Sequence, residues 1–178
     1  MKVATIFTSA MLVAGALATP IAHEKRQLSE YRLIFDTVSE KIEECASELD
    51  AYIAGTLPGT EVIECACELA ELINDSADAI APLNPLSLLD ALGLLGPITE
   101  LVEWVTELAD ILISAESLFE ADGLIEQGLA CLYELQAAGE NLRDVTLPKV
   151  PPSLLSTTEE LINRVVTDLQ RVIDAFTD

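Results

Sequence analysis

Apolar residues recur every three or four positions along most of the chain, which is the spacing of one face of an α-helix. The first such stripe consists of Leu28, Tyr31, Phe35, Val38, Ile42, Cys45, Leu49 and Ile53. Gly55, Pro58 and Gly59 follow it and end the predicted helix. The clearest stripe runs from Leu154 to Phe176, with charged and polar residues on the opposite side. No segment alternates with a period of two over a useful length, so helices alone are predicted.

Three more helices are predicted between these two. Thr60 can cap the second, and Pro82 ends it. Pro97 is placed at the first position of the third, where proline is tolerated. The fourth covers about 122–142. The sequence therefore predicts an all-α fold, an antiparallel bundle of about five amphipathic helices joined by short loops.

The segment 85–97 is unlike the rest because it is apolar on nearly every face. Prolines bracket it and two glycines allow it to hinge, so we expect it to gate an apolar interior. The alternative is a plug of ordinary core packed under its neighbours. The predicted lipid-binding residues combine this segment with the margin and face of the third helix. They are Leu86, Leu89, Leu92, Leu95, Trp104, Val105 and Leu108.

The N-terminus has the three-part pattern of a secretory signal peptide. Lys2 precedes an apolar stretch, and small residues stand at the cleavage positions before residue 19. Lys25 and Arg26 form a dibasic processing site. We predict a signal peptide over 1–18, a pro-segment over 19–26 and one domain over 27–178, in a secreted protein without a membrane span. The alternative for the first segment is a buried N-terminal helix.

Charge and hydropathy narrow the possible partners. The chain has 31 acidic and 9 basic residues, a net charge of −22, and no Lys or Arg between Lys41 and Arg143. Such a surface repels nucleic acid and anionic membranes, because affinity for both depends on cationic contacts. Hydrophobic residues make up 51% of the chain, which excludes an intrinsically disordered acidic protein. The acidic excess is explained most simply by solubility or an acidic medium.

All four cysteines lie in the predicted domain, and an even number in a secreted chain indicates disulfides. Pairing Cys65 with Cys67 is disfavoured, since residues two apart on a helix point to nearly opposite sides. A helical hairpin turning near residue 57 favours Cys45–Cys67 and Cys65–Cys131, with the third connectivity left open. A four-thiolate zinc site would need a second closely spaced pair, so no metal is expected. Asn74 begins a glycosylation sequon, Asn-Asp-Ser.

Residues that could support catalysis are scarce. The single histidine, His23, lies in the segment predicted to be removed. The sequence contains no phosphate-binding loop, no nucleophile elbow and no pair of zinc-binding histidines. Paired carboxylates could act as acid and base, but most acidic residues stand at solvent-facing helix positions. We therefore expect neither an enzyme nor a cofactor.

The C-terminal phrase Pro152-Ser-Leu-Leu, followed by an amphipathic helix ending in Phe176, resembles the fungal hydrophobic surface-binding protein A family. The phrase at 119–123 resembles the point at which members of this family pass from one long helix to the next. The resemblance covers 28–176 and extends to the cell-wall galactomannoproteins. It implies a helical bundle whose interior holds fatty acids or similar lipids, or a protein that adsorbs to hydrophobic solids.

Two departures from that family pattern stand out. Its members carry few or no cysteines, and this chain shows neither a Ser/Thr-rich tail nor a C-terminal hydrophobic signal, so we expect release into the medium rather than covalent wall anchoring. Three functions remain open. They are a carrier of apolar small molecules such as fatty acids, a structural protein that adsorbs to hydrophobic surfaces or the cell wall, and a secreted interaction or effector protein.

Overall fold

The computed structural model describes residues 19–177, and the fold is all-α as predicted, with no strand in that range. The five helices are α1 (Thr19–Ile53), α2 (Gly59–Ile80), α3 (Leu88–Ala121), α4 (Ile125–Thr146) and α5 (Leu155–Thr177). Two short 3₁₀ turns, Leu147–Lys149 and Pro152–Leu154, connect α4 to α5. The predicted signal peptide 1–18 lies outside the described residues. The predicted pro-segment 19–26 forms the first turns of α1, and its removal after Arg26 stays a prediction.

The main contacts between helices close a ring in the order α1, α2, α4, α5, α3 and back to α1. Successive helices run antiparallel, but three of the neighbouring pairs in the ring run parallel. In one of these pairs, α2 and α4, Asn141 Nδ2 donates to Asn74 Oδ1 at 3.0 Å. Five helices in a ring leave space along their common axis. Whether that space is solid or hollow depends on the side chains that point into it.

The predicted break at Pro97 is wrong, because α3 continues through this residue as one helix of 34 residues. Its start is fixed instead by Ser87, whose hydroxyl accepts a hydrogen bond from the backbone N–H of Asp90 at 3.2 Å. Inward burial of Ala91 and Leu94 holds the turns before the proline onto the bundle. Packing thus overrides the local disruption by proline, and the leucine-rich segment forms the first part of α3 without a break at Pro97. Its gating of the interior stays a prediction.

Aromatic side chains fill the axis at the end of the ring where α1 meets α2 and α3 meets α4. The ring of Phe119 lies 4.8 Å from that of Tyr52 and 5.5 Å from that of Phe176, centroid to centroid. The hydroxyl of Tyr52 donates to Asp122 Oδ2 at 2.9 Å. Burial, together with this bond, raises the pKa of Tyr52 to about 12. We call this end of the molecule the solid half.

Two disulfides link α2 to α1 and to α4, but the predicted pairing is wrong. The bonds are Cys45–Cys65 and Cys67–Cys131, with Cα–Cα distances of 5.6 and 5.1 Å. Distance along the helical hairpin does not decide the pairing. The side of α2 from which each cysteine side chain projects does. Cys65 faces α1, and Cys67, two residues on, faces α4. The four sulfurs are therefore not available for a zinc site.

The opposite end of the ring is closed by two connections that Lys149 joins. Its ammonium donates to the carbonyl oxygens of Ala81 and Leu83 at 2.9 and 2.5 Å, just beyond the C-terminus of α2. Its own carbonyl accepts from the backbone N–H of Leu86 at 2.8 Å. A cation here satisfies carbonyls that the helix leaves unpaired and complements the helix dipole. The α2–α3 and α4–α5 connections thus form one cover over this end.

Candidate functional site

An apolar cavity of about 230 Å³ lies on the ring axis between the solid half and the cover held by Lys149. All five helices contribute to its wall. The apolar lining residues are Phe35, Val38, Ile42, Leu69, Ile73, Ile98, Leu101, Val102, Val105, Leu108, Ala109, Leu112, Leu132, Leu135, Leu142, Leu161, Ile162, Val165, Val166, Leu169 and Val172. We call the part of the bundle around it the cavity half.

The wall is built from helix faces that the hydrophobic pattern predicts to point inward. On α3 the interior residues include Leu101, Val105 and Leu108, spaced by four and three, and α5 repeats this spacing with Leu161 and Val165. These five side chains point inward yet are only half-buried. The reason is that branched aliphatic side chains do not reach the axis, so the space between them stays open.

A smaller cavity of about 60 Å³ lies next to the first, towards the solid half. The two share five wall residues: Leu69, Leu108, Leu112, Leu132 and Leu135. The far wall of the smaller cavity includes Phe119 and Phe176. The open space therefore follows the bundle axis and narrows at a layer of leucines before the aromatic rings close it.

Four polar side chains also reach the main cavity: Gln136, Arg143, Thr146 and Thr158. The last three lie near its far end, where α4 finishes and α5 begins. Thr158 is buried, and its hydroxyl donates to the carbonyl of Leu154 at 3.0 Å. The hydroxyl oxygen of Thr146 is buried and has no hydrogen-bond partner among the described residues. The cavity is thus apolar along most of its length and polar at one end.

The structure places only two of the seven predicted lipid-binding residues on the cavity wall, Val105 and Leu108. Leu86, Leu89, Leu92, Leu95 and Trp104 do not line it. Leu89 and Leu92 are 81% and 48% exposed, and Trp104 is 44% exposed. Leu86 packs instead in a cluster around Tyr31, Ile80 and Leu94. A helix that is apolar on all sides can turn only one side inward, so Leu89 and Leu92 face solvent and Leu95 is half-buried.

Residues missed by the sequence analysis form most of the site. The wall residues of α5 belong to the clearest amphipathic stripe in the chain, so the pattern predicted their burial but not the cavity that they face. Arg143 had a visible signal, since it is the first basic residue after Lys41. The unpaired hydroxyl of Thr146 had none, because it depends on tertiary packing.

Other surface features are less suited to hold an apolar molecule. A groove of about 440 Å³ between α3 and α5 is open to solvent and acidic. It is lined by Glu103, Thr106, Glu107, Asp110, Ile111, Ser114 and Arg164.

Asn74 is exposed on α2, and its glycosylation stays a prediction. None of the helices in the part of the chain described has the length and apolar character needed to cross a membrane.

Comparison with curated proteins identifies fungal cell-wall relatives. The chain is 29% identical over 178 residues to cell wall mannoprotein 1 of Aspergillus flavus, covering all of this chain and 63% of that protein. It is 31% identical over 178 residues to cell wall mannoprotein 1 of Aspergillus fumigatus, covering 96% of this chain and 60% of that protein. The chain therefore spans about three fifths of the length of these relatives.

Solved structures share the fold at low sequence identity. Ligand binding domain 1 of the Penicillium marneffei MP1 protein, complexed with arachidonic acids, matches with a TM-score of 0.80 and 22% identity over 84% of this chain and 98% of that one. AFMP4P in complex with palmitic acid matches with a TM-score of 0.75 and 14% identity, over 86% of this chain and 99% of that one. This fold thus occurs in domains solved with long-chain fatty acids.

A family model confirms the resemblance noted in the sequence. The model described as hydrophobic surface binding protein A matches residues 30–147, from the early part of α1 to the end of α4. The phrase at 152–176, on which the resemblance partly rested, lies beyond the matched residues. With about two thirds of its length inside the match, the chain belongs to the hydrophobic surface binding protein A family.

Proposed function

We propose that this protein is a non-catalytic binding protein that takes up fatty acids or similar long-chain lipids in the cavity of its helical ring. The observation that carries the proposal is the elongated space of about 230 Å³ lined by aliphatic side chains from all five helices. Transfer of each methylene of an acyl chain from water into such a space is favourable by about 0.8 kcal/mol. A preformed cavity also spares the ligand the cost of opening the core.

The length of the cavity fits an extended acyl chain. Its wall on α3 runs from Ile98 to Leu112, about 21 Å at roughly 1.5 Å per residue. One leaflet of a bilayer, which is one acyl chain deep, measures about 15 Å, half of the hydrocarbon core. The last part of this length passes the layer of leucines that includes Leu108 and Leu112, beyond which the smaller cavity continues. The fatty acids held by the two solved neighbours support the same class of ligand for this chain.

The polar groups at the cavity favour binding over catalysis. They are one amide, one guanidinium and two hydroxyls, from Gln136, Arg143, Thr146 and Thr158. No base stands among them to activate a hydroxyl as a nucleophile. A site of this kind can orient an amphiphile but offers no group to cleave it.

Secretion and an association with the cell wall are part of the proposal. The two disulfides are typical of an oxidising compartment. The predicted signal peptide and the cell-wall mannoprotein relatives point to the same route. The exposed surface is acidic, with Lys41 held between Glu44 and Glu68 at 3.1 and 2.7 Å.

Native mass spectrometry of the secreted protein, before and after delipidation, tests the main proposal. We expect a mass increment of one or more fatty acids that delipidation removes and palmitate restores. Replacing Val105 and Val165 by Phe should fill the cavity from two sides and abolish that increment. Leu33→Phe, at a position 67% exposed on α1, is the matched control and should retain it. Failure of the wild-type protein to retain any lipid would overturn the proposal.

Adsorption to hydrophobic surfaces is the second candidate function, and the exposed leucines of α3 favour it. Leu88, Leu89 and Leu92 lie on one side of the first turns of α3 and are exposed. A group of exposed aliphatic side chains on a strongly acidic protein is a typical contact for an apolar surface. Leu89→Ser combined with Leu92→Ser should reduce adsorption of delipidated protein to polystyrene while palmitate binding persists. Unchanged adsorption would exclude this face.

A further inference from the structure

The polar groups of the main cavity are concentrated at one end. Arg143 and Thr146 are three residues apart near the end of α4 and therefore share one face of that helix. Thr158 reaches the same end from the first turn of α5. The opposite end is formed by leucines and leads to the aromatic rings of the solid half. A ligand with one polar end would meet a matching environment in only one direction.

The hydroxyl of Thr146 is an unused hydrogen-bond donor. Other helical hydroxyls donate to the carbonyl four residues earlier, as those of Thr99, Thr106 and Thr158 do at 2.7, 3.0 and 3.0 Å. Thr146 Oγ1 has no such bond, although it is buried and its residue lines the cavity. A buried polar group without a partner is costly and uncommon, so an acceptor supplied by a ligand would satisfy it.

Arg143 is the one cationic side chain among the described residues that line the cavity. Its Nε and Nη2 atoms donate to Asp144 Oδ1 at 3.0 and 2.8 Å. The carboxylate of Asp144 is 68% exposed, and an exposed ion pair contributes little stability. A second carboxylate entering the cavity can therefore compete for the guanidinium. The C-terminal end of α4 carries partial negative charge that disfavours an anion, so the cation is needed at this position.

We propose that Thr146 and Arg143 form the head-group site of the cavity, in which the Thr146 hydroxyl donates to the carboxylate of a fatty acid and Arg143 pairs with it. This inference rests on the proposed lipid-binding function and adds a direction to it. The acyl chain runs from the end of α4 towards the leucine layer and the solid half. The site selects acids over neutral lipids of equal chain length.

The test compares palmitate with methyl palmitate, which has the same chain but no charge. Wild-type delipidated protein should bind palmitate at least about tenfold more tightly than the ester, since a hydrogen bond to a charged group carries this much discrimination. Thr146→Val and Arg143→Gln should each remove most of that difference by weakening palmitate alone. Thr99→Val removes a half-buried hydroxyl on α3 that does not line the cavity, and it should leave both affinities unchanged.

Asp144→Asn should change the affinity for palmitate in the opposite direction. Its position is exposed, so the substitution does not disturb folding. Removing the competing carboxylate should free Arg143 and tighten palmitate binding without affecting the ester. Palmitate labelled with ¹³C at its carboxyl gives an independent readout, because its carboxyl resonance should move in the Arg143→Gln variant. If the wild type binds acid and ester equally, and these variants change neither, the head-group site is wrong while the proposed lipid binding stands. Binding of neither ligand would overturn both.

Discussion

The two halves of this bundle have the same helices and the same ring order, yet one is solid and the other hollow. In the solid half, Tyr52, Phe119 and Phe176 extend into the axis and touch one another. In the cavity half the equivalent layers are occupied by residues such as Val105 and Val165, which end short of the axis. The architecture leaves space at the centre everywhere, and side-chain volume alone decides whether it is filled.

The two halves also differ in the contacts that hold them together. Cys45 and Cys131, one cysteine of each disulfide, line the smaller cavity next to the aromatic rings, and no cysteine lines the main cavity. The far end of the main cavity is closed by noncovalent contacts, including the bonds from Lys149 to the carbonyls of Ala81 and Leu83. The covalent links therefore lie outside the main cavity, and the far end of that cavity can adjust to a ligand because it is closed without them.

Truncation of Phe119 should have the largest effect on stability. Phe119→Ala removes a side chain that is 2% exposed and contacts two other rings. We expect a loss of about 3–5 kcal/mol in the free energy of unfolding, the usual range for a buried Phe. Val165→Ala in the cavity half should cost about 1 kcal/mol or less, because part of its surroundings is already empty. Urea unfolding measures both, and equal losses would contradict the division into two halves.

Removal of the disulfides should come next and should differ between the two. Cys67–Cys131 closes a loop of sequence separation 64, and Cys45–Cys65 closes one of 20. The chain-entropy model gives losses of about 4 and about 3 kcal/mol on replacing each pair by serines. Denaturant unfolding of the two double variants is the measurement. Palmitate binding, which depends on the main cavity, should persist in whichever variant remains folded, because no cysteine lines that cavity.

A pair of glycine substitutions should give effects of opposite sign in the two halves. A Cβ at Gly139, which lines the cavity, would meet nothing within 4 Å. Gly139→Ala should therefore stabilise the protein by about 0.5–1 kcal/mol through helix propensity. A Cβ at Gly59 would lie 2.6 Å from Leu124 Cδ1 and 2.9 Å from the ring of Tyr52, so Gly59→Ala should destabilise. A stabilising alanine at residue 59 would show that the solid half is less tightly packed than its contacts indicate.

The smallest expected effect concerns pH and lies on α1 at the solid half. Glu48 has a buried, unpartnered carboxylate oxygen, and burial, with repulsion from Glu44, raises its pKa. A raised folded-state pKa means that its contribution to stability is present at acidic pH and is lost as pH rises through that pKa. Glu48→Gln should therefore stabilise the protein at pH 7 and lose this advantage at acidic pH. Melting temperatures of the wild type and the variant, measured from pH 3 to 8, would show this difference disappear at acidic pH. A difference that is constant across this range would contradict the prediction.

The sequence alone determined the class of fold and most of the inward faces. The spacing of apolar residues predicted five helices, and the stripe of α5 identified side chains such as Leu161 and Val165 that do line the cavity. It failed where two local signals competed with packing. Pro97 predicted a break, but burial of the turns before it keeps α3 continuous. The all-apolar segment 85–97 predicted a lid, but a segment that is apolar on every face does not indicate which side is buried. Only the packing shows that Leu89 faces solvent.

Only the tertiary structure decided which helices are neighbours and what lies between them. The periodicity of a helix records which side is buried but not which neighbour lies there, so the partners of Cys65 and Cys67 could not be read from their spacing. The cavity depends on the order of five helices in a ring, and on side chains from all of them falling short of one axis. The unpaired hydroxyl of Thr146 depends on both. Local sequence can show which side chains face the interior, whereas the presence of a cavity depends on how all five helices pack together.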